Sequence, residues 1–267
     1  MFFSLSTIAM LAITATSMPT PPSNQSVTSP EIANTTAADP PSFPSYRQSG
    51  LHRQGGSNST IGKRWTCNTS ATQTSGDSDN GGAGVTINNA DSASRGYYIY
   101  HNDCDTVPYK YIWVDAGETK FVSLPSAFQG RITRGTDEYN LAGSAQWLGT
   151  WFEIGLDSDG TGYADVSLIR GCDGAVSISS LDGTGASIGF TQWILDGAPS
   201  GAYATKSDGQ KVLAASENLD GSINTAVRDW YISEVGTTNA YVDDYHGDPV
   251  ISSSNGRFAT TWQAGCA

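Results

Sequence analysis

Thr150-Trp151-Phe152-Glu153-Ile154-Gly155-Leu156, then Asp157-Ser158-Asp159-Gly160-Thr161-Gly162, then Tyr163-Ala164-Asp165-Val166-Ser167-Leu168: two alternating runs joined by a Gly- and Asp-rich connection predict a β-hairpin. Side chains alternate across a strand, so Phe152, Ile154 and Leu156 share a face with Ala164, Val166 and Leu168. That apolar face is predicted to be core. The other face carries Trp151, Glu153, Tyr163, Asp165 and Ser167. Glu153 and Asp165 are equidistant from the turn centre at Asp159, so a regular hairpin sets them opposite each other. Opposed carboxylates repel. Set between Trp151 and Tyr163, they point to a sugar site, where rings stack on a pyranose and carboxylates accept its hydroxyls or act as acid and base. The alternative is an ordinary solvated hairpin face.

Around the hairpin, short β-prone runs recur between turn signals. They include 96–100, 109–114, 120–124 and 175–178, with turns at Asp115-Ala116-Gly117-Glu118, Asp182-Gly183 and Asn255-Gly256. One helix is predicted, with Asn224 as N-cap, apolar Val227, Trp230 and Tyr231, and Gly236 as the stop. Many short strands and one late helix predict an all-β sandwich with a small loop and helix excursion.

The N-terminal quarter differs. Residues 1–17 are uncharged and largely apolar, end in Ala15-Thr16-Ser17, and are expected to be a signal peptide. Residues 18–64 hold seven of the chain's 11 prolines among Ser, Thr and Asn, and are expected to be a disordered pro-segment. It ends in Lys63-Arg64, which resembles a Kex-type dibasic processing site and would leave Trp65–Ala267 as the mature domain. Asn24, Asn34, Asn58 and Asn68 each open an Asn-x-Ser/Thr acceptor, as in a secreted glycoprotein.

After residue 64, ten Lys and Arg stand against 24 Asp and Glu, a net charge near −14. Such a chain is repelled by nucleic acid and by anionic lipid, so neither is expected as a partner. The four cysteines, Cys67, Cys104, Cys172 and Cys266, read as two disulfides in an exported chain, with three connectivities open. Pairing Cys67 with Cys266 would close a loop of roughly 200 residues, leaving Cys104 for Cys172.

Three rival motifs are weak. Gly185-Ala186-Ser187-Ile188-Gly189 matches a nucleophile elbow, but nothing around it reads as strand, elbow and helix. Asp157-Ser158-Asp159-Gly160 resembles half a calcium loop and lacks the closing Glu. His101 and His246 lack metal-ligand spacing. Neither a metal nor a cofactor is expected.

Three stretches resemble thaumatin-like proteins. Asp115-Ala116-Gly117-Glu118-Thr119-Lys120-Phe121, followed by Gly130-Arg131-Ile132-Thr133-Arg134-Gly135-Thr136, is similar to the family's Gly-Glu turn and Gly-Arg-x-x-x-Arg-Thr motif. Residues 148–171 resemble its Glu-bearing hairpin with Tyr-x-Asp-Val-Ser. Ala240-Tyr241-Val242-Asp243-Asp244 resembles the segment before its last strand and cysteine, which Cys266 matches, with Cys67 as the N-terminal partner. The resemblance implies a flattened β-sandwich beside an acidic cleft that binds β-1,3-glucan and in some members hydrolyses it. It places the cleft Arg on Arg131, the strand Glu on Glu153, the hairpin Asp on Asp165, and the late Asp on Asp243 or Asp244. Arg170 stands where the family has a further Asp. With only four cysteines, the pattern is similar to fungal secreted members. The expectation is a monomeric, extracellular or cell-wall protein that binds β-1,3-glucan. If it hydrolyses the glucan weakly, Glu153 is the proton donor and Asp165 the base or nucleophile, with Arg131 holding an acid ionised. Its alternative is a non-catalytic effector on the same scaffold.

Overall fold

The computed structural model describes residues 65–266. The expected signal peptide, the pro-segment with Lys63 and Arg64, and the acceptors Asn24, Asn34 and Asn58 lie outside the described residues.

Fourteen strands and two helices follow in chain order: β1 Thr72–Thr74, β2 Gly84–Asn89, β3 Arg95–His101, β4 Lys110–Val114, β5 Thr119–Ser123, β6 Gln129–Gly135, α1 Asp137–Asn140, β7 Trp151–Leu156, β8 Gly162–Ser167, β9 Gly174–Ser180, β10 Ser187–Gly189, β11 Tyr203–Thr205, β12 Lys211–Leu213, α2 Thr225–Glu234, β13 Ile251–Ser253 and β14 Arg257–Gly265. A seven-stranded sheet runs β1-β4-β3-β6-β7-β8-β13, a five-stranded sheet runs β10-β9-β14-β2-β5, and β11 and β12 form a separate ribbon. The β1–β4 and β14–β2 pairs are parallel.

The hairpin fixes which face is inside. Ile154 pairs with Ala164 and Phe152 with Val166 in the ladder, and these side chains are fully buried with Val85, Ile87, Val176, Phe258 and Trp262 of the five-stranded sheet. Each Ile, Val or Phe buried in this way contributes about 1.5–3 kcal/mol. The chain is therefore the all-β sandwich that the thaumatin-like resemblance implies.

The turn at 157–162 is a tight hairpin connection: Asp157 N–H donates to the Thr161 carbonyl, and Asp159 accepts from Thr161 N–H. The chain beyond β9 holds β10, the ribbon and α2. Asn224 caps α2 by accepting from Val227 N–H, and Gly236 follows with φ +81°. Ser187 begins the edge strand β10, not a nucleophile elbow.

The cysteine pairing departs from expectation. Cys67 is bonded to Cys104, closing a sequence separation of 37 residues, while Cys172 and Cys266 are free thiols. The strand order explains this. Cys104 sits in the β3–β4 connection, which parallel pairing of β1 with β4 brings beside the residues that precede β1. Cys172 is fixed in the interior by reciprocal backbone bonds with Leu213, and Thr150 Oγ1 lies 3.5 Å from its sulfur. Burial pushes the Cys172 thiol up to about 12. Cys266 is tied to the Asp173 carbonyl, and its sulfur lies against the Lys211 carbonyl.

Candidate functional site

The outer face of the seven-stranded sheet carries one continuous row of side chains. Tyr100 pairs with Arg131, Arg131 with Glu153, and Glu153 with Asp165, across β3, β6, β7 and β8. The strand alternation that buries Phe152 and Ile154 forces this row outward. Arg131, Glu153 and Asp165 are nevertheless all buried.

Arg131 sits in an aromatic cage. Its guanidinium carbon lies 4.2 Å from the Trp151 ring centre, 4.8 Å from Tyr100 and 5.1 Å from Trp147. Cation–π contact of this kind is worth about 2 kcal/mol when desolvated. Nη1 meets Asp105 at 2.6 Å, whereas Nε and Nη2 are buried without a hydrogen-bond acceptor among the described residues. The acid that Arg131 engages is therefore Asp105, from the β3–β4 connection, and not one of the hairpin pair. Nothing in the sequence motif pointed to Asp105.

Trp151 also differs from expectation. It is 2% exposed, donates its indole N–H to the Trp147 carbonyl, and stacks on Arg131. It packs on Arg131 within the row. Tyr163, on the same face beside Asp165, is 36% exposed and offers a ring to a ligand.

Asp165 is fully buried, and neither of its carboxyl oxygens meets a hydrogen-bond donor among the described residues. Burial, then the charges of Glu153 and Asp248, raise its pKa well above the ordinary carboxylate range. Tyr241 closes this end. Its hydroxyl donates to Asp248, and its backbone bonds to Val166 and Leu168 along β8. Burial, then that hydrogen bond, raise the Tyr241 phenol as well.

The two late acids separate. Asp243 is buried and turned into its own loop, accepting from the backbone N–H of Tyr245 and His246 and lying 2.8 Å from His246 Nδ1. Asp244 is exposed, and its N–H donates to Glu217 Oε1 at 2.6 Å. Glu217, which no sequence pattern flagged, joins the site here. Burial and the charges of Asp244 and Asp243 raise its carboxyl, partly offset by the Asp244 N–H and by Arg170. Arg170 donates to the Glu217 carbonyl at 2.9 Å, so the position that departs from the family pattern sets a cation at the acidic end.

A separate cavity of about 430 Å³ beside Gln73, Trp113 and Lys120 contains none of these residues. Among the described residues no group of His, Cys, Asp and Glu is arranged to hold a metal ion, and no helix is long and apolar enough to cross a membrane.

The fold is a two-sheet β-sandwich with a row of Arg131, Glu153 and Asp165 on one sheet. No protein-family model and no curated protein sequence matches the chain. Among solved structures it is similar to the thaumatin-like xylanase inhibitor TLXI, with 10% identity over 67% of this chain and 99% of the other, and a TM-score of 0.37. It is also similar to a laminaripentaose-producing β-1,3-glucanase in complex with laminaritetraose, with 10% identity, 68% and 98% coverage and a TM-score of 0.45. A third is the protein elicitor MoHrip2 from Magnaporthe oryzae, with 14% identity, 49% and 89% coverage and a TM-score of 0.31. At such scores these likenesses carry no argument about the site.

Proposed function

We propose that this chain is a secreted protein, processed after Lys63-Arg64, that binds β-1,3-glucan along the row on its outer sheet face. The observation that carries the reading is the carboxyl pair Glu153 and Asp165, opposed in register beside the exposed ring of Tyr163. Like charges set opposite each other oppose folding, so their joint presence argues for a use. A neutral polysaccharide suits it: the Tyr163 ring packs on a sugar face, and no ligand charge meets the acidic surface. The complete burial of Asp165 favours binding over hydrolysis. The same observation supports the effector alternative, in which the scaffold acts without catalysis.

The test is retention of the secreted, processed protein on insoluble β-1,3-glucan, with reducing-end release measured in the same tubes. Tyr163→Ala should weaken retention about tenfold, the equivalent of about 1.4 kcal/mol, without changing the unfolding midpoint. Release that vanishes in Glu153→Gln would make the protein a glucanase. Absence of both retention and release would leave the effector reading.

A further inference from the structure

The cavity of about 430 Å³ away from the row is lined by residues 73–75, Trp113, Asp115, Glu118 and Lys120. Its volume lies in the range of small-ligand sites, about 300–1,000 Å³. Strand order assembles it. Parallel pairing of β1 with β4 sets Gln73 beside Tyr111 and Thr74 beside Ile112, so Ser75 follows level with Trp113. The 115–118 turn, closed by Glu118 N–H on the Asp115 carbonyl, then brings Glu118 and Lys120 back to the same edge. The edge strands of the two sheets, β1 and β5, thus border one opening.

Trp113 is a fixed ring in that opening. It pairs with Gly96, which pairs with Gly135, so the ladder row from β4 to β6 carries no other side chain. Across this gap the indole N–H donates to Asp137 Oδ1 at 2.9 Å, and Tyr98 donates to the same oxygen at 2.5 Å. Tyr98 also stacks on Tyr111, with planes 6° apart. The indole is held in this way and is still 36% exposed. A ring already fixed by its neighbours loses little further freedom when a ligand packs on it.

The lining selects the ligand. Thr74 is committed to Asp77, and Glu118 meets Lys120 at 3.1 Å. The amide of Gln73, the hydroxyl of Ser75 and the carboxylate of Asp115 are the other polar side chains of the lining. They supply donors and acceptors together. Two carboxylates disfavour an anionic ligand, and Lys120 disfavours a cationic one. A sugar ring fits: its C–H face packs on an indole, and its hydroxyls donate and accept around the edge.

We propose that this cavity is a carbohydrate site separate from the row, with one pyranose on Trp113 and its hydroxyls on Gln73, Ser75 and Asp115. Both sites lie on the outer face of the seven-stranded sheet. Trp113 sits opposite Gly96, four residues along β3 from Tyr100, which is about 13 Å of strand. One extended glycan can therefore reach both. That this glycan is β-1,3-glucan rests on the function proposed above; the site itself does not.

The experiment uses the full secreted chain and three tetrasaccharides, of β-1,3-linked glucose, β-1,4-linked glucose and β-1,4-linked mannose. Indoles are oxidised with N-bromosuccinimide and followed residue by residue by mass spectrometry. Trp193, 45% exposed on the loop before the ribbon, is the internal control. With sugar at about 10 mM, a Kd of about 1 mM slows oxidation of Trp113 about tenfold and leaves Trp193 unchanged. By calorimetry, Gln73→Ala, on the exposed edge strand, should weaken binding about threefold. Trp113→Phe, which keeps a ring, should bind more tightly than Trp113→Ala. Trp113 oxidised as fast with every tetrasaccharide as without overturns the proposal, as does equal slowing at Trp193. Protection of Trp113 on a chain that does not retain insoluble β-1,3-glucan keeps this site and removes the glucan reading. Retention that Tyr163→Ala weakens, with Trp113 unprotected, does the reverse.

Discussion

Two buried arginines three residues apart on β6, Arg131 and Arg134, face opposite sides of the same sheet and meet opposite electrostatic solutions. Arg134 faces inward over Trp262, between Asp91 and Asp173, with 3.8 Å to each. Every carboxylate there meets donors. Asp91 accepts from Arg95, Gly265 N–H and Ala93 N–H, and Asp173 accepts from Thr150 N–H and Lys206. Burial pushes Asp91 up, but those hydrogen bonds outweigh it and hold the carboxyl below its ordinary value. On the outer face, Arg131 engages one partly exposed acid, and the carboxyl directly beyond Glu153 is buried, its pKa raised by burial and then by the charge of Glu153. The balanced cluster ties β9, β14 and the ribbon's end to the sheet and belongs to the fold. On the outer face the opposed carboxyls of Glu153 and Asp165 cost stability, which is why that face is read as the site.

This contrast can be broken most easily on the inner face. Asp173→Ala strands Arg134 and Lys206 and frees Thr150 N–H. Removing one partner from a buried charge cluster costs about 3–5 kcal/mol, and urea unfolding should show that loss. A cost below about 1 kcal/mol would mean that the inner cluster is no more structural than the outer one. Asp105→Ala comes next. Arg131 loses a charge-assisted bond worth about 1.5–3 kcal/mol but keeps its three aromatic neighbours. The expected loss is about 2 kcal/mol, with glucan retention falling because Arg131 is no longer held in register.

How much of this was legible follows from periodicity. The two-residue repeat of a strand is strict, so the sequence of the hairpin predicted both its core face and the opposition of Glu153 to Asp165, and the ladder has that register. The helix at Asn224 was legible for the same kind of reason, a cap followed by apolar residues at helical spacing. What escaped came from elsewhere in the chain. Asp105 reaches Arg131 from a connection 26 residues away, and Trp147 covers Trp151 from the loop before β7. No periodic pattern specifies where a loop side chain lands. Asp243 and Asp244 were inseparable because neighbouring residues in a turn can face opposite ways, and only the His246 contact shows which is spent inside. The cysteine pairing failed for a related reason: strand order decides which loops adjoin, and four isolated cysteines do not encode it.

The smallest effect sharpens the comparison most, because its sign is unusual. Most buried carboxylates are held low, as Asp91 is, and their stabilising effect is lost as pH falls. Asp165 is held high, so the sign reverses. Below the ordinary carboxylate range both folded and unfolded states are protonated there, and its contribution is at its most favourable. As pH rises past the unfolded value the unfolded chain releases the proton while the folded chain keeps it. Stability then falls by up to about 1.4 kcal/mol per pH unit, until the raised folded pKa is reached. Asp165→Asn removes that titration with little change of shape and gives the neighbouring Glu153 an amide donor. The variant should match the parent near pH 4 and exceed it by about 1–2 kcal/mol at pH 7, with the difference growing across that interval in urea unfolding curves. A variant that is less stable than the parent at pH 7 would show that Asp165 is ionised and paired, making the outer face a second structural cluster like that of Arg134.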